Sequence, residues 1–191
     1  GTYVTVHAYT PKAVRRAVEA GVKCIEHGQF VDEPAFKLLS DKGVWLSLQV
    51  LDEAPESQTA DVKAKKHSVV QGTDNAFKWA KKYNVKLAWG TDFLFNPAQN
   101  KNQNSDILKL KTWFSPFQAL KLVTHDNAQL LALSGPRNPY PGKLGVVAVD
   151  SFADLLLVNG NPIANINLVA DPEKNFVVIM KDGKIYKNSL Q

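Results

Sequence analysis

Cysteine is almost absent from this sequence, which has Cys24 alone among its 191 residues. A single cysteine excludes an intramolecular disulfide framework, but it leaves the cellular compartment open because many exported proteins also lack disulfides. Long apolar runs are absent as well, since none approaches the roughly 20 residues that a membrane-spanning helix requires. The sequence therefore excludes a disulfide-stabilised scaffold and predicts no membrane span.

A signal peptide is also missing, and the chain opens directly on strand-like residues at positions 1–4. That start predicts a fragment or a processed chain, so the compartment of the parent protein stays open between cytoplasm and export. Hydrophobic residues make up 45% of the sequence and charged residues 21%, which is typical of a globular protein that can bury a core.

Acidic residues are fewer than basic ones, 18 against 23, and the formal net charge is +5 at pH 7. A basic chain suggests nucleic acid as a partner, but here the lysines are not interleaved with the aromatic residues that single-strand binders use. A solvated helix face explains the charge better, so no nucleic-acid partner is expected. Six of the lysines fall in one helical region: Lys63, Lys65, Lys66, Lys78, Lys81 and Lys82.

The first half of the chain alternates strand and helix patterns. Helix-start signals stand at Thr10-Pro11 and at Asp32-Glu33-Pro34, and a longer helical region ends near Tyr83. Strand and helix units of this length indicate parallel strands joined by right-handed crossovers. The four predicted strands are 2–8, 22–26, 44–50 and 85–90.

An Asn- and Gln-rich stretch, 96–105, follows the fourth strand and approaches the length at which loops are usually functional or disordered. Ser115-Pro116 then predicts the start of an amphipathic helix that runs through Leu133 and ends at Gly135.

The second half changes character after Pro136, where prolines and glycines form a turn-rich linker. Asp182-Gly183 between apolar alternating stretches is a strong hairpin signal. The tail therefore predicts a small β-region. Its predicted strands are 146–149, 153–158 and 176–180, the last of which leads into the hairpin.

Three β-rich stretches end on a polar side chain, namely His7, His27 and Asp92. In a parallel α/β barrel the carboxyl ends of the strands form the active-site face, so polar residues there indicate chemistry. Two imidazoles and a carboxylate on that face suit zinc, iron, nickel or manganese and could activate water. The alternative for each histidine alone is a core or capping residue, and the pattern by itself leaves both interpretations open.

The chain also resembles the C-terminal portion of amidohydrolase-superfamily metalloenzymes, in the branch of imidazolonepropionase-like and prolidase-like hydrolases. Five segments carry the resemblance in the order of that family: 4–11, 21–28, 88–92, 153–162 and 178–184. The resemblance implies the C-terminal half of a TIM-type (β/α)8 barrel in residues 1–135, carrying its strands 5 to 8. Residues 136–191 would then be the C-terminal part of a composite β-sandwich.

The resemblance further implies an enzyme that hydrolyses a C–N bond, in a cyclic amide or before proline, with water activated by a divalent metal, zinc being the first candidate. His7 would be the metal ligand from strand 5 and His27 the ligand from strand 6. Asp92, from strand 8, would bind metal and act as general base. Tyr9 points to the same side as His7 in a regular strand and is a substrate-contact candidate. The alternative for Tyr9 is a rim aromatic that packs on the loop after Asp92.

Two features of the family do not occur here, the His-x-His pair of the first strand and the bridging lysine of the fourth. His67 and His125 read as surface or helix-end residues and do not replace them. The isolated chain is therefore expected to bind metal weakly and to be inactive. The alternative function is a non-catalytic fragment or association module. Besides a small amide or peptide substrate, the expected partners are a second copy of the chain or the missing N-terminal half.

Cys24 and the predicted strand 44–50 are expected to have structural rather than chemical roles. Cys24 lies three residues before His27, and residues at that spacing face opposite sides of a strand, so a buried thiol is favoured over a thiol–imidazole pair. The predicted strand 44–50 is expected between the strands that carry His27 and Asp92. Its polar side chains Ser47 and Gln49 are poor metal donors, so this strand is expected to contribute no ligand.

Overall fold

The computed structural model describes residues 1–93 and 97–190. It divides into two compact units, Thr2–Gly90 and Thr91–Gln191, the latter together with Gly1. The boundary that the sequence predicts between residues 135 and 136 falls inside the second of these units. The assignment of 1–135 and 136–191 as domains stays a prediction.

A four-stranded parallel sheet forms the centre of the first unit, with its strands in chain order. The prediction of parallel strands in an α/β arrangement is confirmed, and so is the position of the third strand between the strands of His27 and of residues 87–89. The strands are β1 (Thr5–Ala8), β2 (Cys24–His27), β3 (Trp45–Leu48) and β4 (Leu87–Trp89).

Three helices connect these strands, and each begins where the sequence supplies a cap. The side chains of Thr10, Asp32 and Thr59 accept hydrogen bonds from backbone N–H groups in the first turns, which satisfies donors that have no partner within the helix. The helices are α1 (Pro11–Glu19), α2 (Glu33–Asp41) and α3 (Ala60–Lys82).

The core of this unit holds the strand ends in place. Ile25 of β2 and Leu46 and Leu48 of β3 are completely buried, and so are Phe36 of α2 and other apolar side chains of the helices. Burial of each large aliphatic or aromatic side chain stabilises the fold by roughly 1.5–3 kcal/mol. Because the strands are anchored through these residues, the short segments that follow them start from fixed positions.

From residue 97 onwards, the second unit continues as helical turns rather than as a loop. A 3-10 helix spans Pro97–Asn102, followed by α4 (Gln103–Asp106) and a second 3-10 helix at Ile107–Thr112. The prediction of a loop over 96–105 is therefore wrong for residues 97–105, where Ser105 donates to Asn102 O at 2.7 Å within the turn. Residue 96 lies outside the described residues.

The helix predicted from Ser115 is confirmed and begins with a complete capping box, in which Ser115 and Gln118 satisfy each other's backbone N–H groups. Its middle turn is a π-helix, a feature that the sequence pattern did not indicate. The segments are α5 (Pro116–Lys121), the π-helix Leu122–Asp126, α6 (Asn127–Leu131) and a final 3-10 helix, Ala132–Arg137.

A three-stranded antiparallel sheet follows, in the order β5-β6-β7. The predicted hairpin is confirmed, with Asp182 at φ 48° and Gly183 at φ 72° in the turn. The elements are β5 (Leu155–Val158), a 3-10 helix (Ile166–Val169), α7 (Pro172–Asn175), β6 (Phe176–Lys181) and β7 (Lys184–Asn188). Among the described residues, no helix is both long and apolar enough to cross a membrane.

The prediction of a strand at 146–149 is wrong, because these residues form bends and a turn. Asp150 has a φ of 62°, and Ser151 N donates to Ala148 O at 3.2 Å, which closes the chain into a turn. Val147 and Val149 are 89% and 84% exposed. A β-branched alternation favours a strand only where a neighbouring strand and a buried face are present, and in the structure neither accompanies these residues.

Candidate metal centre

The carboxyl ends of β1 and β2 carry the two histidines. The register of the strands pairs His7 with Glu26 and Ala8 with His27. Paired residues of neighbouring strands point to the same face, and successive residues alternate. Regular strand geometry would therefore place His7 and His27 on opposite faces of the sheet.

The backbone of His27 departs from strand geometry and breaks this alternation. Its φ is 80°, a left-handed conformation that costs a residue with a side chain on the order of 1–3 kcal/mol, and Gly28 follows at φ 74°. The ring of His27 reaches His7, with 2.6 Å between His7 Nδ1 and His27 Nε2. The conformation that alternation does not predict is the one that brings the two imidazoles together.

Gln49, directly beyond the end of β3, is the third member of this cluster. Its Oε1 lies 2.8 Å from His27 Nδ1, and both side chains are buried, with His27 3% and Gln49 4% exposed. The sequence prediction for Gln49 concerned only its weakness as a metal donor and did not include its contact with His27. The signal was present, because Gln49 is a polar residue at a strand end in the same sheet as the histidines.

Tyr9 packs flat on His27. The two ring centroids are 4.5 Å apart with an interplanar angle of 10°, and the ring of Phe30 lies 5.9 Å from that of Tyr9. Phe30 N also donates to Tyr9 O at 3.1 Å, which ties the segment after β1 to the segment after β2. Tyr9 therefore braces the imidazole plane, and a substrate contact by Tyr9 stays a prediction.

Asp92 follows β4 by three residues and belongs to the second compact unit. It is exposed, and its φ of 58° makes it the second predicted ligand with left-handed backbone. Residues 94–96, which follow it closely, lie outside the described part of the chain. Its roles as ligand and general base stay predictions.

The remaining histidines are paired with carboxylates elsewhere. His67 Nδ1 lies 2.9 Å from Glu53 Oε1, and the side chain of His67 is 61% exposed. His125, in the π-helix, lies 2.7 Å from Asp126 Oδ1. His67 therefore lies at the surface, as predicted, whereas His125 lies in the middle of the helical stretch that begins at Pro116 and not at a helix end.

Cys24 is completely buried, as predicted. Burial, together with the nearby carboxylate of Glu26, raises the pKa of its thiol to about 12. A thiol with such a pKa is a poor nucleophile and a poor metal ligand near neutral pH, because both roles require the thiolate. Its burial agrees with the structural role that the sequence predicts for this thiol.

The model of the Amidohydrolase family matches residues 1–187. The chain belongs to the amidohydrolase family. It is 26% identical over 190 residues to the ochratoxinase of Aspergillus niger, a match that covers 96% of this chain and 38% of that protein. The family is the one that the five sequence segments indicate.

Solved structures support the same assignment. One is the crystal structure of an amidohydrolase whose sequence is 29% identical to this chain. The match covers 100% of this chain and 46% of the amidohydrolase chain, with a TM-score of 0.85. A prolidase complexed with N-methylphosphonate-L-proline is 29% identical, with 98% and 45% coverage and a TM-score of 0.82. The chain thus spans less than half the length of these amidohydrolase relatives.

The residues of this amidohydrolase chain fit a metal ion in their donor chemistry. Two imidazole nitrogens converge, and the remaining ring nitrogen of His27 is bonded to Gln49, the kind of outer contact that metal-ligating histidines make. Over residues 1–93 and 97–190, no group of three or more His, Cys, Asp and Glu side chains is arranged to hold a metal ion. The histidine pair is thus a partial donor set.

Proposed function

We propose that this chain is the C-terminal half of a metal-dependent amidohydrolase, comprising the second half of its (β/α)8 barrel and the C-terminal part of a β-sandwich. The observation that carries the proposal is the convergence of His7 Nδ1 and His27 Nε2 at 2.6 Å beyond two parallel strands. The left-handed backbone of His27, which places its buried imidazole against that of His7, costs conformational free energy. Backbone strain of this kind is concentrated at functional sites.

His7 and His27 would hold the metal through the ring nitrogens that face each other, Nδ1 of His7 and Nε2 of His27. Gln49 accepts the hydrogen on His27 Nδ1, and Tyr9 supports the ring face. The family generally uses divalent metals, and zinc is the first candidate for a site of two imidazoles and a carboxylate. With the metal held there, the Nδ1–His27 hydrogen bond of His7 would be lost, and the hydrogen of the neutral His7 ring would lie on Nε2.

The reaction is hydrolysis of a C–N bond. When bound, the metal supplies Lewis-acid polarisation of the carbonyl and a lower pKa for the attacking water. Asp92 would accept a proton from the attacking water as the water oxygen bonds to the carbonyl carbon, and would donate that proton to the leaving nitrogen as the C–N bond breaks. Cyclic amides and Xaa-Pro peptides are the proposed substrates, and the related prolidase that holds a proline derivative supports the second class.

Catalysis would then require the part of the barrel that carries the other ligands. The proposed partners of the chain are therefore a polypeptide that supplies the N-terminal half or a second copy of the chain. The alternative, an association module without catalytic activity, is favoured by a separate observation. Apolar side chains are exposed in the second unit, including Val147, Val149 and Leu156.

Zinc binding tests the proposal directly. We expect the purified chain to bind zinc weakly in competition with a chromophoric chelator, and His7→Gln or His27→Gln to reduce the affinity at least about tenfold. The control is His67→Gln, which removes an exposed imidazole paired with Glu53 and leaves the affinity unchanged. Equal affinities for His27→Gln and His67→Gln would contradict the metal site.

Hydrolysis separates the two functions. The zinc-loaded chain is assayed on Xaa-Pro dipeptides and N-acyl amino acids, beside Asp92→Asn. Turnover that is lost in Asp92→Asn would show that this chain is catalytically complete, contrary to the expected inactivity of the isolated chain. Zinc binding through the two histidines without turnover is the outcome expected of half a barrel. Association with neither zinc binding nor turnover would favour the association module.

A further inference from the structure

Gln49 is held in one orientation beside His27. Its Oε1 lies 2.8 Å from His27 Nδ1, and its Nε2 donates to Ser47 O at 3.4 Å. Its backbone carbonyl accepts from Gln29 Nε2 at 3.4 Å. The two bonds of the side chain fix both ends of its amide, with the oxygen towards the imidazole and the nitrogen towards β3, and the bond from Gln29 holds the backbone.

This orientation selects one tautomer of His27. A neutral imidazole has one N–H and one lone pair, and an amide oxygen can only accept a hydrogen bond. The hydrogen of His27 therefore lies on Nδ1, and the lone pair lies on Nε2, the nitrogen that faces His7 Nδ1. The opposite tautomer would set the lone pair of Nδ1 against the buried oxygen of Gln49, leaving both acceptors unsatisfied.

The stacking of Tyr9 acts on the plane of the His27 ring. Its ring lies nearly parallel to that of His27, and a stacked face restricts the plane of an imidazole without distinguishing its two nitrogens. The hydrogen bond to Gln49 thus favours one tautomer, whereas Tyr9 contributes to the orientation of the plane.

We propose that Gln49 is a positioning residue, which holds the Nδ1–H tautomer of His27 so that Nε2 presents its lone pair to the metal. The part of this inference that concerns metal binding rests on the proposed function, whereas the part that concerns the tautomer of His27 does not. The two parts are separable, because the tautomer can be read in the metal-free chain.

The experiment uses two substitutions at one position. Gln49→Met keeps the unbranched shape and removes the acceptor, whereas Gln49→Glu keeps an acceptor at the same reach. The matched control is Gln29→Met, since Gln29 is also buried, at 2% exposure, and its side-chain amide donates to the backbone of Gln49 rather than to an imidazole.

The first measurement is long-range ¹H–¹⁵N correlation spectroscopy of the metal-free chain at about pH 8, where an ordinary imidazole is neutral. The His27 signals are those absent from His27→Gln. We expect the Nδ1–H form in the wild type, in Gln49→Glu and in Gln29→Met, and a shift towards the Nε2–H form in Gln49→Met. An unchanged tautomer in Gln49→Met would overturn the proposal.

The second measurement is zinc affinity by chelator competition. We expect Gln49→Met to bind about 10–100-fold more weakly, and Gln49→Glu to recover most of that loss. Equal losses in Gln49→Met and Gln29→Met would indicate general loosening and overturn the positioning role. A tautomer shift in Gln49→Met, with no zinc binding by the wild type, would support the positioning of His27 and contradict the proposed metal function.

Discussion

At the scale of single residues, Cys24 and His27 show how two positions of one short strand, three residues apart, differ in their chemistry. Cys24 is enclosed and chemically quiet, with its thiol pKa raised to about 12 by burial and by Glu26. His27, three residues on, has its backbone in the left-handed region and its ring against His7. The strand is thus structural at its start and carries the candidate chemistry at its end.

The raised pKa of Cys24 predicts slow thiol labelling. In the folded chain at about pH 8 the thiol keeps its proton and is shielded, so we expect negligible reaction with a disulfide reagent over minutes. In denaturant the reaction should be fast and stoichiometric, because the ordinary pKa of 9.0 is restored. Cys24→Ala supplies the blank, and rapid labelling under native conditions would contradict the burial.

The same shift gives a pH dependence of stability. Between about pH 9 and pH 12 the unfolded chain loses the thiol proton while the folded chain keeps it. The contribution to the free energy of unfolding is therefore complete below pH 9 and declines as the pH rises above it. Urea unfolding across this range should show that the difference in free energy of unfolding between the wild type and Cys24→Ala becomes smaller as the pH rises.

At the scale of elements, α3 approaches the segment after β2 at Gly72. A Cβ built at Gly72 would lie 2.2 Å from Gln29 O and 3.1 Å from Gln29 Cβ. Gln29 stands two residues after His27 and donates to the backbone of Gln49. The absence of a side chain at Gly72 therefore lets the helix pack against the segment that carries the candidate site.

Gly72→Ala tests this packing by the sign of its effect. Alanine in place of glycine in an unobstructed helix stabilises by about 1 kcal/mol, but the close approach to Gln29 predicts a destabilisation of roughly 1–3 kcal/mol. Ser68→Ala, at an exposed position of the same helix, should stay within about 0.5 kcal/mol of the wild type. Urea unfolding measures all three, and a stabilised Gly72→Ala would contradict the contact.

The β6–β7 hairpin is tied to residue 154. Asp154 accepts from Asp182 N at 2.7 Å and from Lys181 Nζ at 2.9 Å. The hydrogen bond from Asp182 N, followed by that from Lys181, lowers the pKa of the Asp154 carboxyl below its ordinary 3.8. This carboxylate therefore supports a turn in which both Asp182 and Gly183 have positive φ.

Asp154→Asn should lose this support in a pH-dependent way. A lowered carboxyl pKa contributes stability that is present above about pH 3.8 and is lost as the pH falls through the folded value. We expect up to about 1 kcal/mol of destabilisation at pH 7, a small figure because the pair is partly exposed. Urea unfolding at neutral pH and below pH 3 should show the difference only at neutral pH, and an equal difference at both would contradict the assignment.

At the scale of the whole molecule, open strand edges and exposed apolar side chains predict association. Within the described sheet β1 pairs only with β2, so its other edge carries unpaired backbone groups. Val147 and Val149 are among the most exposed apolar side chains described. Such features are normally covered by a partner surface or by another strand.

We expect the average mass of the chain in light scattering to rise with concentration. Val147→Asp should reduce that rise, because a charge at an exposed apolar contact opposes its burial. Val62→Asp adds the same charge on the exposed face of α3 and is the matched control. A monomer at all concentrations, or equal effects of the two substitutions, would contradict association through the segment around Val147.

The sequence by itself determined the order and type of most elements and the family of the protein. Caps such as Thr10 and Ser115 and the Asp182-Gly183 turn act through hydrogen bonds and φ preferences within a few residues, so their consequences are local. The positions of His7 and His27 at strand ends could be predicted as well, because the end of an apolar β-rich run is also a local feature of the sequence. In the prediction at 146–149 the local pattern was misleading, because a strand depends on a neighbour that the pattern does not contain.

The tertiary structure alone decided how the candidate site is put together. The meeting of His7 and His27 depends on a left-handed backbone at His27, which opposes strand alternation and is maintained by surrounding contacts. Gln49 joins them because β3 lies beside β2, an adjacency made by the sheet and not by sequence distance. Local preferences set which elements form, whereas contacts between distant segments set where the side chains at their ends point.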